Sequence, residues 1–311
     1  MSLKSIKNKI RSISKTKQVT KAMESVSAVK MRKSQKSALD TRHYATHAFN
    51  ILKRISGSID GATSHSLMTE RDIKRTCIFI ITSDKGLAGS LNSAVIKRVI
   101  SNMTENKLDK NNAGIICIGR KGYEYFLKRG FKIEKYYEKL GDDAPVTLLK
   151  DVSDLIVNLY ENYEYDLFQI FYTNFISTAE QNAIAMTMLP IKYNEIKKII
   201  EGILPKKGRY SKAKEVIDGK DDNDVKLYLF EPGAKEILNE LLPFLLNIQI
   251  YYSFLEAKAS EHSARMVSMK NASDKADELS KDLKLSFNKA RQASITREIS
   301  EITGGIEAMT N

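Results

Sequence analysis

A glycine-rich turn at residues 83–89 (Ser-Asp-Lys-Gly-Leu-Ala-Gly) is the segment of this sequence best suited to chemistry. It follows a short apolar run and precedes a helical pattern, which is where α/β proteins bind phosphate groups on free backbone amides. Asp84 and Lys85 would be the charged groups of a nucleotide-using enzyme centred on this turn. However, the spacing matches neither G-x-G-x-x-G nor the phosphate-loop pattern. The simpler interpretation is a tight turn in which Ser83 or Asp84 caps the following helix.

The histidines and cysteines do not form a recognisable site. His43 and His47 stand four residues apart, a helical spacing that could hold a metal, but only Asp40 is near enough in sequence to add a ligand. Cys77 and Cys117 lie in apolar runs and are expected to be buried small side chains, with a pair across neighbouring strands left open. We therefore predict no catalytic residue, no cofactor and no metal.

The excess of positive charge is confined to the first sixth of the chain. The 311 residues carry 50 basic and 38 acidic side chains, a net charge of +12. Residues 1–56 contain fourteen Lys or Arg, with Glu24 and Asp40 as their only acids, so this segment alone is +12 and the remainder is neutral. A basic segment on a neutral body indicates a local acidic partner surface.

Both ends of the chain have the pattern of long helices. Residues 1–56 and 244–303 contain neither glycine nor proline. Apolar residues near the start follow a helical spacing at Leu3, Ile6, Ile10 and Ile13, and a weaker stripe follows at Val19, Met23, Val26 and Val29. A seven-residue lattice in the last segment runs through Met266, Met269, Ser273, Ala276, Ser280, Leu283, Phe287 and Ala290. This lattice is typical of a coiled-coil seam, for which His262 is another candidate.

Length decides how such helices can be arranged. At about 1.5 Å per residue, a helix of sixty residues spans roughly 90 Å. A compact chain of this size has a diameter of roughly 50 Å, so a continuous helix would protrude from it. The alternative is a break inside each segment that folds it back as a hairpin, and Pro243 is a candidate for a kink.

The middle of the chain alternates strands and helices. Strands are predicted at residues 76–82, 114–119, 131–137, 167–176, 184–191 and 225–230, and helices at 91–106, 120–129 and 146–162. This alternation predicts an α/β body with a Rossmann-like, mostly parallel sheet. Residues 206–224 are polar and charged, and are predicted to be an exposed, mobile loop. The predicted organisation is an N-terminal coiled-coil helix at 1–56, the α/β body at 57–233 and a C-terminal coiled-coil helix at 234–311, with the two helices paired antiparallel.

Other classes of function are less well supported. No run reaches the roughly 18 to 20 apolar residues that span a bilayer, and the N-terminus has no apolar signal core. The basic residues of the first segment could form a nucleic-acid arm, which keeps a basic coiled-coil nucleic-acid-binding protein as an alternative. These residues circle most of the helix, and no zipper or zinc signature accompanies them.

Several motifs resemble one family over the full length of the chain. The segment 20–24 (Thr-Lys-Ala-Met-Glu), the turn 83–92 (SDKGLAGSLN), 256–271 (EAKASEHSARMVSMKN) and 288–301 (NKARQASITREISE) are similar to motifs of the gamma subunits of F-type rotary ATP synthases, in their bacterial form. The departures are Lys85 for the family's Arg, Ala88 for its Cys and Ile306 for its Ala. None lies in the matched helical motifs.

The resemblance implies a non-catalytic central rotor shaft. Such a subunit is present once per complex, enters a ring of three alpha and three beta subunits, and joins the epsilon subunit and the membrane-embedded c-ring at its foot. It couples rotation driven by protons to conformational change in the catalytic beta subunits. The implied location is the cytoplasmic face of the bacterial inner membrane, as a peripheral protein that meets the membrane only through the c-ring. No nucleic acid is expected as a partner.

The resemblance also implies roles for individual residues. Met23, Arg32 and Lys33 match the region facing an acidic loop of beta. Polar contacts with the ring are implied for Arg291, Gln292, Thr296 and Glu298, and apolar contacts with its bore for Ile295, Ile299 and Ile302. Tyr228 and Glu231 match the foot segment that meets the c-ring.

Overall fold

The computed structural model describes residues 2–58, 65–142, 146–192 and 233–310. In chain order a long helix is followed by strands alternating with helices, then by a final antiparallel strand and a second long helix. The elements are α1 (Leu3–Ser58), a short 3-10 helix (Ser66–Met68), β1 (Thr76–Ile81), α2 (Leu91–Glu105), β2 (Ala113–Ile118), α3 (Arg120–Leu127), β3 (Lys132–Tyr137), α4 (Val146–Glu161), β4 (Leu167–Phe175), β5 (Gln181–Leu189) and α5 (Ala234–Thr310).

The five strands that lie in the described ranges form one mixed sheet in the order β3-β2-β1-β4-β5. The first four strands are parallel, and β5 pairs antiparallel with β4. Since β1 and β2 are buried along their whole length, they are near-continuous apolar runs, as expected for parallel strands covered on both faces. The arrangement confirms the predicted α/β body with a mostly parallel sheet.

Alternate residues of β1 enter two separate cores. Cys77, Phe79 and Ile81 belong to a cluster that α4 and α5 complete, whereas Ile78 and Ile80 belong to a cluster completed by α2 and α3. The period of two along the strand sends neighbouring side chains to opposite faces, so the sheet is covered by helices on both sides.

The two terminal helices are unbroken. α1 has 56 residues and α5 has 77, and α5 continues through Pro243. The alternative of hairpins folded back on themselves is therefore wrong. The strand predicted at 184–191 is β5, although it begins three residues earlier, at Gln181. The predicted strand 225–230 and loop 206–224 lie outside the described residues.

The chain divides into two compact units, which are described separately. One consists of Met1–Ala28 and Arg265–Asn311, and the other is Val29–Ala264. In the first unit Lys17 of α1 forms an ion pair with Asp277 of α5 (Nζ–Oδ1 2.5 Å). In the second, Lys30 and His262 of the same helices contact one carboxylate, that of Asp142. The start of α1 belongs with the end of α5 in one unit, and the end of α1 belongs with the start of α5 in the other, which is the antiparallel order that was predicted.

Burial along α5 follows the predicted seam, but burial along α1 only partly follows the predicted stripes. Met269, Ser273 and Ala276 are buried, and Ile6 is the most buried apolar residue near the start of α1. The second predicted stripe of α1 is wrong, because Val19, Val26 and Val29 are exposed while Thr20 and Ser27 are buried. The heptad register set by Ile6 continues to positions 20 and 27, where small polar residues allow the helices to approach closely.

Candidate functional site

The glycine-rich turn binds other parts of its own chain. The backbone amide of Ser83 donates to Oδ1 of Asn92 (2.9 Å), and Nδ2 of Asn92 donates to the Ser83 hydroxyl (2.7 Å). Asp84 accepts hydrogen bonds from the backbone amides of Arg120 (3.0 Å) and Lys139 (3.1 Å). The prediction that Asp84 caps the following helix is wrong, because its carboxylate caps α3 instead and ties the segment after β3 to the turn after β1.

Tight backbone packing locks the carboxyl ends of β1 and β2 together. Gly119 has φ +89, and a Cβ there would lie 2.0 Å from the carbonyl oxygen of Thr82. The Thr82 hydroxyl also accepts a hydrogen bond from the amide of Gly122 (2.9 Å). These side chains and amides form hydrogen bonds that join neighbouring loops, which favours a structural turn over a phosphate site. The side chain of Lys85 is exposed to solvent.

The cysteines are separate and buried. Both are free, and they belong to different core clusters on the two faces of the sheet. The register pairs Cys77 with Gly114 and Ile80 with Cys117, so the pair left open by the sequence does not form. Burial raises the pKa of the Cys117 thiol to about 12, and it raises that of Cys77 as well. Neither thiol is therefore set up as a nucleophile.

The histidines are also apart. His47 is exposed, and the side chain of His43 lies outside the described part of the chain. Among the residues that the structure describes, His, Cys, Asp and Glu side chains do not gather in threes where they would hold a metal ion. Within the same ranges, no helix has both the length and the apolar character that crossing a membrane requires.

The register of the paired helices shows where the seam ends. Lys17 lies opposite Asp277. In an antiparallel pair, fourteen residues back from Lys17 leads to Leu3, where α1 begins, and fourteen residues on from Asp277 leads to Arg291. The part of α5 beyond Arg291 therefore extends past the start of α1.

The residues implied to contact the ring lie on that extension and along α1. Arg291, Gln292, Thr296 and Glu298 are exposed. Local bonds within the helix hold two of them, since the Thr296 hydroxyl donates to the Gln292 carbonyl (3.0 Å) and Glu298 accepts from Ser294 (3.3 Å). On α1, Arg32 and Lys33 are exposed and Met23 is half-buried.

An apolar stripe accompanies these polar residues. Ile295, Ile299 and Ile302 are 48%, 57% and 64% exposed. Their spacing of four and three places them on one face of α5. Tyr228 and Glu231, implied to meet the c-ring, lie outside the described residues, so the structure tests neither.

Sequence reasoning missed a buried carboxylate, Glu256 of α5. It accepts a hydrogen bond from the Tyr252 hydroxyl and another from Nδ2 of Asn174 on β4 (2.8 Å). Burial raises the pKa of Glu256 to about 7, against the lowering effect of these hydrogen bonds. The partner Asn174 is 82 residues away, so no local pattern signals the contact.

Sequence reasoning also missed Asp142, which lies in the segment between β3 and α4. The carboxylate contacts Nζ of Lys30 (2.7 Å) and Nε2 of His262 (2.7 Å). The hydrogen bond from His262 holds the pKa of Asp142 well below its usual range. His262, a candidate seam residue from its sequence, is buried, and it binds this carboxylate.

Comparison with known proteins gives a consistent result over the whole chain. A family model described as ATP synthase matches residues 2–309. The ATP synthase gamma chain of Heliobacterium modesticaldum is 37% identical over 307 residues, covering 99% of each chain. That of Cytophaga hutchinsonii is 37% identical over 313 residues, covering 100% of this chain and 99% of the relative. The fold is similar to a chain in the rotor of Euglena gracilis mitochondrial ATP synthase, with a TM-score of 0.59, 19% identity and coverage of 94% of this chain and 98% of that chain.

Proposed function

The chain belongs to the ATP synthase gamma chain family, the rotor subunit of the central stalk, and we propose that it couples c-ring rotation to conformational change in the beta subunits without performing chemistry itself. The observation that carries this proposal is the extension of α5 past the end of its seam with α1. A single helix that exposes an apolar stripe beside polar groups is suited to a bore lined by other subunits.

Asymmetry is the physical basis of the proposed coupling. Three equivalent beta subunits around one shaft cannot all meet the same side of it. Each beta subunit therefore contacts a different surface and favours a different conformation. Turning the shaft brings each of its surfaces to the next beta subunit, so the three beta subunits exchange conformations in order.

The extension would serve as the bearing of the shaft. Ile295, Ile299 and Ile302 would make apolar contacts without directional bonds, so the helix can turn against the bore. Arg291, Gln292, Thr296 and Glu298 would make the polar contacts that distinguish one rotational position from another. Their exposure supports this division of roles, because none of these side chains is needed to bury the seam.

The basic first segment would face an acidic surface of the ring. Residues 1–56 carry the whole net charge of +12. Met23, Arg32 and Lys33 would lie where the acidic loop of beta approaches. Exposed ion pairs of this kind are each worth only about 0–1 kcal/mol, so they attract the ring without fixing the shaft in one position.

The remaining partners would meet the α/β body. Tyr228 and Glu231 would contact the c-ring loops, and the epsilon subunit would join the same foot. One copy of the chain would serve three alpha and three beta subunits. The complex would stand on the cytoplasmic face of the bacterial inner membrane, with this chain touching the membrane only through the c-ring.

Assembly with the ring tests the proposal. The chain should be expressed with alpha and beta subunits of the same organism and purified through a tag on beta. We expect one copy to purify with three of each ring subunit and to restore ATP hydrolysis. A preparation in which the ring hydrolyses ATP at the same rate without this chain would contradict the proposal.

Truncation tests the bearing. Deletion of residues 295–311 should weaken coupling between ATP hydrolysis and proton pumping, because it removes all three isoleucines of the stripe. The matched control is Asp274→Asn, an exposed change on the same helix, which should leave coupling unchanged. Full coupling in the truncated complex would show that the assigned contacts near the end of α5 are wrong.

A further inference from the structure

Asp142 joins three segments that are far apart in sequence. One carboxylate oxygen contacts Lys30 of α1, 112 residues away, and the other contacts His262 of α5, 120 residues away. We propose that Asp142 is a positioning residue that latches both long helices to the α/β body, so that torque passes between helices and body through it. The torque-bearing role rests on the proposed function, whereas the latch itself is a property of the chain.

Burial makes this contact more than a surface ion pair. The side chain of Asp142 is 17% exposed and that of His262 is 6% exposed, whereas Lys30 is 49% exposed. A charge withdrawn from water needs its partners, because removal of one partner leaves the other buried and uncompensated. An ionised carboxylate can only accept, so Nε2 of His262 carries the proton that it donates to Asp142.

Both helices also contact the body unit through apolar side chains. α5 enters the core with an apolar series that includes Leu242, Leu246, Phe254 and Leu255. Among the side chains described for α1 in this unit, the apolar ones that are fully buried are Met31 and Ala48. The ion pair to Lys30 adds a polar contact to these apolar ones and joins α1 to a segment of the body that α1 reaches through the carboxylate of Asp142.

The segment that carries Asp142 is itself tied to the sheet. Two residues after the end of β3, the amide of Lys139 donates to Oδ2 of Asp84 (3.1 Å), which follows β1. Leu140 packs partly against the main core. A continuous series of contacts therefore runs from the sheet through Asp84 and the segment after β3 to Asp142, and from there to both helices.

Hydrogen exchange on the purified full chain tests the latch without any partner subunit. Asp142→Asn should speed amide exchange in residues 29–41 of α1 by about tenfold, as expected when a local contact is lost. Lys30→Met removes an exposed side chain and leaves the core intact, so it should give the same effect on α1. In residues 29–41 the double variant should exchange no faster than either single variant, because both substitutions remove the same contact of α1, that between Lys30 and Asp142.

The control removes an exposed ion pair within a single helix. Lys275 pairs with Glu278 three residues along α5, and both side chains are mostly exposed. Lys275→Met should leave exchange in residues 29–41 unchanged. Unchanged exchange in Asp142→Asn, or additive effects of the two latch substitutions, would overturn the latch.

The complete complex in vesicles tests the transmission of torque. With Asp142→Asn we expect ATP hydrolysis to persist while ATP-driven proton pumping is lost, and Asp142→Glu, which keeps the charge, to recover pumping. If the unsubstituted chain fails to assemble, the proposed function is wrong while the exchange result still decides the latch. If the unsubstituted complex pumps and Asp142→Asn pumps equally well per ATP hydrolysed, the torque-bearing role is wrong.

Discussion

The hydroxyl of Tyr165 lies so close to Gly114 that a Cβ at position 114 would be 2.1 Å from the hydroxyl oxygen. Tyr165 precedes β4 and Gly114 is in β2, so the ring passes over the neighbouring strand β1. A hydrogen bond from the hydroxyl to Glu134 of β3 holds it in place. The hydroxyl therefore links the segment before β4 to β2 and β3, and this contact requires the absence of a side chain at position 114.

Gly114→Ala should therefore destabilise the body by about 1–3 kcal/mol, the usual cost of forcing atoms into a packed site. Urea unfolding of the purified chain measures this loss. Gly86→Ala is the matched control, because a Cβ there would meet nothing within 4 Å; it should change stability by less than about 1 kcal/mol. Equal losses in the two variants would contradict the proposed packing.

Glu256 should make stability depend on pH around neutrality. Its pKa is raised from an ordinary value of 4.5 to about 7 in the folded chain, so folding favours the protonated form. The folded state is therefore most favoured below about pH 4.5, and this contribution is lost as pH rises to about 7, at a cost on the order of 3 kcal/mol.

Glu256→Gln keeps the neutral form at every pH. We expect it to match the parent chain near pH 5 and to exceed its free energy of unfolding at pH 8, as measured by urea unfolding at both pH values. Glu105→Gln, a change at an exposed position, serves as the control and should not alter the pH profile. A variant that is less stable than the parent at pH 8 would exclude a raised pKa as the dominant effect.

The seam between α1 and α5 should not accept a larger side chain at Ala276. This residue is buried among small neighbours on the lattice, so Ala276→Leu forces the helices apart at a cost of about 1–3 kcal/mol. Asp274→Leu, an exposed change nearby on the same helix, should have little effect. Thermal unfolding followed by circular dichroism compares the two, and an Ala276→Leu chain as stable as the parent would mean that the seam is misplaced.

The turn after β1 should matter for stability and not for nucleotide binding. Asp84→Ala loses two hydrogen bonds, from the amides of Arg120 and Lys139, and should cost about 1–3 kcal/mol. Lys85→Ala should be nearly neutral, because the side chain is exposed. Calorimetry with ATP should give no binding heat for the parent chain. Binding heat that disappears in Lys85→Ala would instead support a nucleotide site.

The sequence predicted the elements well where one local pattern decides the structure. The apolar runs of β1 and β2, the helical spacing of α2 and the lattice through Met269 and Ala276 all lie where the pattern placed them. The pattern failed for Val19 and Val26, which share a helical face but point away from the seam. Periodicity finds an apolar face, and it does not say which of two faces the partner helix covers.

Contacts between distant residues could not be predicted in the same way. The role of Asp84 depends on the position of Lys139, 55 residues away, and that of Asp142 depends on two helices more than 100 residues away. No spacing rule connects such positions, because the sheet order and the helix register determine their distance. The residue roles near the end of α5 come from family resemblance, and the exposure of those residues is compatible with them.

Rotation of this chain inside the proposed ring of alpha and beta subunits tests its role most directly. The ring should be fixed to a surface through its beta subunits, and a bead attached to a cysteine introduced at Glu105, an exposed position at the end of α2. Both native cysteines of this chain are buried, so within this chain the label attaches at position 105. On addition of ATP we expect the bead to turn in one direction for many revolutions. A bead that stays still in complexes that continue to hydrolyse ATP would contradict the role of this chain as the rotor.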